Sequence, residues 1–465
     1  MTDVHAAPSH AVSPNGSGSA PLTLEALERA VAAHNVDTVV LALVDMEGRL
    51  VGKRLTAHHF LESTVGHGAE FCEYVLATDV DMSPQQGYGL AGWNRGFGDF
   101  MIKADPSTLR LTPWQPGTAL LLGDAVRENG DPIQVSPRQM LRKQLERVAA
   151  RGMSAMVGTE LEFMIFRGSY RDAWESGYRD LVKATPYSVD YALLDTTNVE
   201  PLIRRIRNSM EEAGMHVESS KGECNLGQHE INFRYGSALD VCDDHAIYKF
   251  GSKEIAAQEG FAITFMAKFD QREGSSCHVH LSLAGADGAN LFPSDQQLFE
   301  RFLAGQLACL RELTLLFAPQ INSYKRYVPG LFAPTAVAWG RDNRTCSMRV
   351  IGHGPGLHIE NRLPGADVNP HLAVAAMIAA GLHGIDQELP LEPATAGSAY
   401  DGTDTHPHVP STMREARDLF NASDVARQAF GDDVVDHYVH RADIEISAFD
   451  AAITDWERYR GFERL

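Results

Sequence analysis

Residues 158–166 read GTELEFMIF, a run that looks like a core strand except for two acids. Successive side chains of a strand point to opposite faces, so Glu160 and Glu162 share one face while Leu161 and Phe163 share the other. Two neighbouring carboxylates on such a strand repel one another unless cations lie between them. Two more segments repeat the arrangement. In SSCHVHLSL, residues 275–283, His278, His280 and Ser282 share a face opposite Val279, Leu281 and Leu283. In LHIENRL, residues 357–363, His358, Glu360 and Arg362 alternate with Ile359, Asn361 and Leu363. Three such strands in one chain favour functional side chains over isolated structural ones.

Between the first two segments lies KGECNLGQHEINF, where Glu223 and Glu230 flank a Gly-containing turn that lets the chain double back. Together the segments supply five carboxylates and one or two imidazoles. An oxygen-dominated donor set suits Mg²⁺ or Mn²⁺ rather than a closed zinc site. It has enough ligands for two or more ions, as in phosphoryl transfer. The cationic counterpart is Lys325 and Arg326 in INSYKRYVPG with Arg341, Arg344 and Arg349 in WGRDNRTCSMRV. Arginine clamps carboxylate or phosphate through paired donors. Neither a P-loop nor a dinucleotide-binding glycine motif is present, so a nucleotide would be held through metals and arginines.

The surrounding chain has 465 residues, 44% hydrophobic and 22% charged, enough for a large core, and its size predicts two domains. Its net charge of −20 argues against a nucleic-acid surface and against anionic membrane. No apolar run reaches the length of a membrane span, and Leu372 to Leu382 reads as a buried helix. The six cysteines form no C-x-x-C pair, which points to a reducing, cytoplasmic setting. Residues 1–21 have the composition of a disordered tail. Helix, strand, turn and strand are expected from Leu22 onward, and the stretch from Asp79 to Trp114 reads as a long irregular loop. A helix is predicted over SPRQMLRKQLERVAARG, with Ser136 as N-cap and Pro137 at its first position. The mixture of strands and helices without βαβ alternation predicts an α+β fold.

The motifs GTELEF, ECNLGQHEI, SSCHVHLSL, INSYKRYVPG, DNRTCSMRV and HIENRLP, in that order, resemble the glutamine synthetase family, type I. The resemblance covers nearly the whole chain after residue 21. It implies an N-terminal β-grasp domain over residues 22–128 and a catalytic domain over 129–465 whose antiparallel sheet walls the active site. It also implies a homo-oligomer, a dodecamer of two six-membered rings with active sites between neighbouring subunits. By position, Glu162, Glu223 and Glu230 match the ligands of one metal, and Glu160, His278 and Glu360 those of the other. Arg326 and Arg362 match the arginines around substrate glutamate, with Gly274 in the loop that holds its backbone. Arg344 and Arg349 match the pair that stabilises the transferring phosphoryl group, and His280 with Ser282 the ATP side. The implied reaction has ATP phosphorylate the glutamate side chain, after which an amine attacks the acyl phosphate.

Departures from the pattern narrow the substrate. Ammonia-using members carry a glutamate in the loop after SYKR-x-x-PG, where this chain has Phe332 in PGLFAP. A phenyl ring neither pairs with ammonium nor accepts its proton, but it can line an apolar approach for a carbon-bearing amine. Asp45, in VDMEGR, matches the other ammonium-site carboxylate, which the neighbouring subunit contributes. Glu273 stands where the family usually has an amide. The combination looks like the branch that joins glutamate to ethanolamine or to polyamines, in amine assimilation or detoxification. The alternatives are an ammonia-dependent glutamine synthetase and an inactive structural or regulatory homologue. Five converging carboxylates have little use in a mere scaffold. Tyr400, in GSAYDG, lies near the place where some type I members are adenylylated, although motif agreement there is poor.

Overall fold

A computed structural model describes residues 22–401 and 406–465. The expected tail, 1–21, and residues 402–405 of the His- and Pro-rich loop lie outside the described residues. The chain opens with the helix Leu24–Ala32, capped by the Thr23 hydroxyl, which accepts from the Ala26 amide. Two mixed sheets follow. The first contains β1 (Thr38–Val44), β2 (Leu50–Thr56), β3 (Ala69–Cys72), β4 (Asp99–Ala104), β5 (Arg110–Leu111) and β6 (Thr118–Val126). Their order is β2-β1-β6-β4-β3, with β5 beside β6, and β1 runs parallel to β6. β4 corrects the reading of 79–114 as loop throughout. DFMIKA alternates buried and exposed positions and pairs with both β3 and β6, a long-range partnership that the Gly-rich sequence before it hides.

The helix Pro137–Ala149 links this sheet to the second. Ser136 occupies its N-cap position, but the hydroxyl makes no capping bond; Pro137 at the first position needs no amide acceptor. The second sheet contains β7 (Ser154–Arg167), β8 (Val182–Lys183), β9 (Val217–Gly222), β10 (Gln228–Phe233), β11 (Gly236–Ser237), β12 (Phe261–Thr264), β13 (Cys277–Ala284), β14 (Trp339–Arg341), β15 (Met348–Ile351) and β16 (His358–Asn361). Its order is β14-β15-β16-β13-β7-β10-β9, with the short β8, β11 and β12 also on β7. The central strands are antiparallel, and all three charged strands of the sequence reading lie in this one sheet.

Helices cover the back of the sheet. The apolar run Leu372–Leu382 is a buried helix, part of Pro370–Asp386, packed on Gln296–Cys309 and Pro137–Ala149. Each fully buried Leu or Ile there contributes about 2 kcal/mol. Buried apolar residues run without a break from Val39 and Leu41 on β1 to Leu161 and Val279 on the second sheet. Arg138 ties the same junction, reaching Asp105 and Asp124 at 2.7 Å and Asp243 at 2.9 Å. Among the described residues, no helix is long and apolar enough to cross a membrane.

Candidate active site

Strand register builds the site. Glu162 on β7 lies directly opposite Glu230 on β10, and Glu160 lies opposite His278 on β13. Two residues further along β13, His280 stands beside Glu360 on β16, whose other neighbour is Arg349 on β15. Directly opposed residues of antiparallel strands project from the same face, so neighbouring rungs become two clusters. Ligand atoms of Glu160, His278 and Glu360 lie within 4.8 Å of one another, as do those of Glu162, Glu223 and Glu230. Glu223 reaches the second group because the chain reverses over Asn225–Gln228, with Gly227 at φ +76°, where its missing Cβ avoids the Ile165 carbonyl.

Their electrostatics differ. Burial pushes Glu162 well above the usual carboxylate range, and the neighbouring Glu223 and Glu230 add to it. Burial likewise raises Glu230 to about 7, reinforced by Glu160 and Glu223. Two buried acids and the half-buried Glu223, with one nearby ammonium, that of Lys221, are short of positive charge. In the other cluster burial also opposes ionisation of Glu160, but the hydrogen bond from His278 and the imidazole of His280 3.1 Å away outweigh it and hold the carboxyl low. Glu360 is fully buried; Arg362 donates to it at 2.5 Å and Arg349 at 3.1 Å. Burial lowers His278 to about 4, so it presents a neutral imidazole whose Nε2 has no partner. Charge-deficient carboxylates and a neutral imidazole form an oxygen-rich donor set that fits Mg²⁺ or Mn²⁺.

Two cavities flank this wall. One, of about 530 Å³, is lined by Glu160, Glu162, Glu223, Glu230 and His278 together with Gly274, Arg326, Phe332, Arg344, Arg349 and Arg362. The other, of about 680 Å³, is lined by His280, Ser282, His358 and the 354–356 loop. Glu160 borders both. Arg326 is buried, donating to the main-chain carbonyls of Arg362, Leu363 and Pro364 at 2.8–3.1 Å. Gly274 sits against its stem, where a Cβ would come within 2.6 Å of Cγ. Phe332 is exposed at φ +55°, and its carbonyl accepts from Arg362. Lys325 and Arg341 line neither cavity.

Asp45 is not brought to these clusters within the chain. Its buried carboxylate accepts from the amides of Glu47 and Arg49 at 2.9 and 2.8 Å and from Arg49 Nε at 2.8 Å, closing the turn between β1 and β2. The Tyr400 hydroxyl donates to the Ala333 carbonyl. The sequence reading missed Ser276, whose amide and hydroxyl both donate to Glu162, and Gln228, which bridges Glu162 and the Gly274 carbonyl. Ser276 was detectable, since it precedes His278 by two positions on the same face; Gln228 carried no such signal.

A wall of paired acids backed by arginines, with a nucleotide-sized cavity on one side, defines a class of enzymes that use divalent ions to handle charged substrates. The glutamine synthetase catalytic-domain profile matches residues 134–460. The chain belongs to the glutamine synthetase family. It is 57% identical over 448 residues to the gamma-glutamylethanolamide synthetase GlnA4 of Streptomyces coelicolor, covering 96% of each chain. It is 34% identical to a glutamate–isopropylamine ligase of a Pseudomonas species, over 92% of this chain and 96% of the relative. A solved structure described as a GmaS/ADP complex superposes with a TM-score of 0.82 at 27% identity, over 96% of this chain and all of the other. The protein is accordingly a ligase that forms carbon–nitrogen bonds.

Proposed function

We propose that the protein joins the γ-carboxyl of L-glutamate to a small primary amine, ethanolamine foremost, at the expense of ATP. The observation that carries this reading is Phe332, an apolar side chain lining the carboxylate–arginine cavity where ammonia-using members carry an acid. The 57% identity to a gamma-glutamylethanolamide synthetase supports the choice of amine.

In this reading Arg326 and Arg362 hold glutamate, with Gly274 giving its backbone room. ATP occupies the cavity of His280 and Ser282, its terminal phosphate directed past Glu160 toward the glutamate. Arg344 and Arg349 face the phosphoryl group as it transfers, and preorganised cations are worth most where charge develops. Glu162, Glu223 and Glu230 would hold one divalent ion, and Glu160, His278 and Glu360 another. Such ions neutralise phosphate charge. The amine then displaces phosphate from the γ-glutamyl phosphate. The same proposal includes the dodecamer of two rings, in which the β1–β2 turn that holds Asp45 would lie against a neighbour's site, and a cytoplasmic location where ATP and glutamate are available.

Phosphate release with ATP, Mg²⁺ and glutamate tests it, the varied component being ethanolamine, methylamine, putrescine, spermidine, ammonium or none. Turnover with ethanolamine exceeding that with ammonium is expected. Turnover with ammonium alone would mean a glutamine synthetase, and preference for spermidine would place the enzyme among polyamine ligases.

A further inference from the structure

Arg349 is held from two sides, and one of its anchors lies outside the catalytic wall. Glu360 accepts from its Nη1 at 3.1 Å. On the other side Asp342 accepts from Nε at 3.0 Å and pairs with Nη2. A guanidinium carries five N–H donors, so these contacts leave one on each terminal nitrogen. Arg349 lines the carboxylate cavity, where a phosphoryl group can accept from both. The Asp342 oxygen that Arg349 holds also lies 4.0 Å from Arg344 Nη1, which places one carboxylate between the two arginines. Asp342 itself lines neither cavity.

Stability does not account for Asp342. Its side chain is 74% exposed, where an ion pair contributes little. Its backbone sits at φ +48°, an uncommon state outside glycine, just past the end of β14. Its amide donates at 3.0 Å to the carbonyl of Val350, the neighbour of Arg349 on β15, which fixes the carboxylate beside the guanidinium.

We propose that Asp342 is a positioning residue for phosphoryl transfer. It occupies the Nε edge of Arg349, keeps the terminal N–H groups available to the transferring phosphoryl group, and offsets the charge of Arg344 beside it. The inference rests on the function proposed above and adds to it a residue that acts through Arg349 without touching substrate. Glu360 cannot anchor Arg349 alone, because it also accepts from Arg362 and, in that reading, binds a divalent ion.

The test is single-turnover ADP formation, with steady-state phosphate release beside it, by wild type, Asp342→Gly and Asp342→Asn. The nitrogen donor is whichever one the wild type uses. Both replacements tolerate φ +48°, so the backbone is spared; glycine removes the carboxylate, and asparagine keeps its shape and one acceptor oxygen. Asp342→Gly should slow ADP formation roughly tenfold, the low end for a charge-assisted hydrogen bond because Asp342 faces solvent. Asp342→Asn should fall between that variant and wild type. KM for glutamate and for the amine should stay within about twofold, and melting curves should superpose on wild type. In an Arg349→Lys background, which lacks the Nε edge, Asp342→Gly should cost less than about threefold more. Wild-type rates in Asp342→Gly, a rise in substrate KM at unchanged rate, or an equal loss in the Arg349→Lys background would overturn the positioning role while the proposed function stands. If the wild type forms no ADP in response to glutamate, the function and this role fail together.

Discussion

Replacing Gly274 with alanine should damage glutamate binding in particular. A Cβ built there lies 2.4 Å from the Ala267 carbonyl oxygen and 2.6 and 2.9 Å from Arg326 Cγ and Cδ. Arg326 cannot step aside, because it is 2% exposed and its guanidinium is held by three main-chain carbonyls. The 273–275 backbone must move instead, carrying the Gly274 carbonyl that accepts from Gln228, whose amide also holds Glu162 at 2.7 Å. Overpacking of this kind costs about 1–3 kcal/mol, which corresponds to a rise in glutamate KM of roughly five- to a hundred-and-fiftyfold. Phosphate release with glutamate varied at saturating ATP and ethanolamine measures it, and amine KM should change by less than about twofold if the strain stays local. A folded Gly274→Ala enzyme with unchanged glutamate KM would refute both the clash and the placement of glutamate beside Arg326.

Phe332→Glu should shift preference toward ammonium by about tenfold, since a carboxylate gained near the amine is worth roughly 1–2 kcal/mol, and the φ of +55° strains either residue alike. An unchanged ammonium-to-ethanolamine rate ratio in the folded variant would remove Phe332 as the discriminator. Glu360→Ala leaves Arg349 and Arg362 without their buried acceptor and should weaken Mn²⁺ binding by at least about a hundredfold, read by calorimetry; wild-type affinity would break the Glu160–His278–Glu360 assignment. Asp243, buried, is held down to about 2 despite that burial by Arg138 and His371. Its folded value lies below its unfolded one, so its stabilisation of about 2 kcal/mol is complete above pH 4 and disappears as pH falls toward 2. Arg138→Met should lower the melting temperature at pH 7 and flatten that acid limb, and an acid limb identical to wild type would exclude this network as its cause.

Much of the site was legible because face alternation is a local property. Glu160 with Glu162, His278 with His280, and Glu360 with Arg362 each follow from the two-residue period of one strand. The α+β class and the buried helix at Leu372–Leu382 followed in the same way, from pattern over a short window. β4 was not legible, because DFMIKA is a strand only through its pairing with β3 and β6. Nor could sequence show that Ser136 leaves its hydroxyl unpaired at a helix start it correctly marked.

The sequence by itself determined the donor inventory, its order and which donors share a face, since covalent geometry and strand period act within a few residues. Tertiary structure decided which donors meet. Glu162 faces Glu230, and Glu360 stands between His280 and Arg349, because register between strands remote in sequence is set by the apolar face packed behind them. The same packing committed Arg326 to three carbonyls and brought Lys221 against Tyr191. Those engagements depend on chain segments tens of residues apart, and a linear pattern carries no measure of that distance.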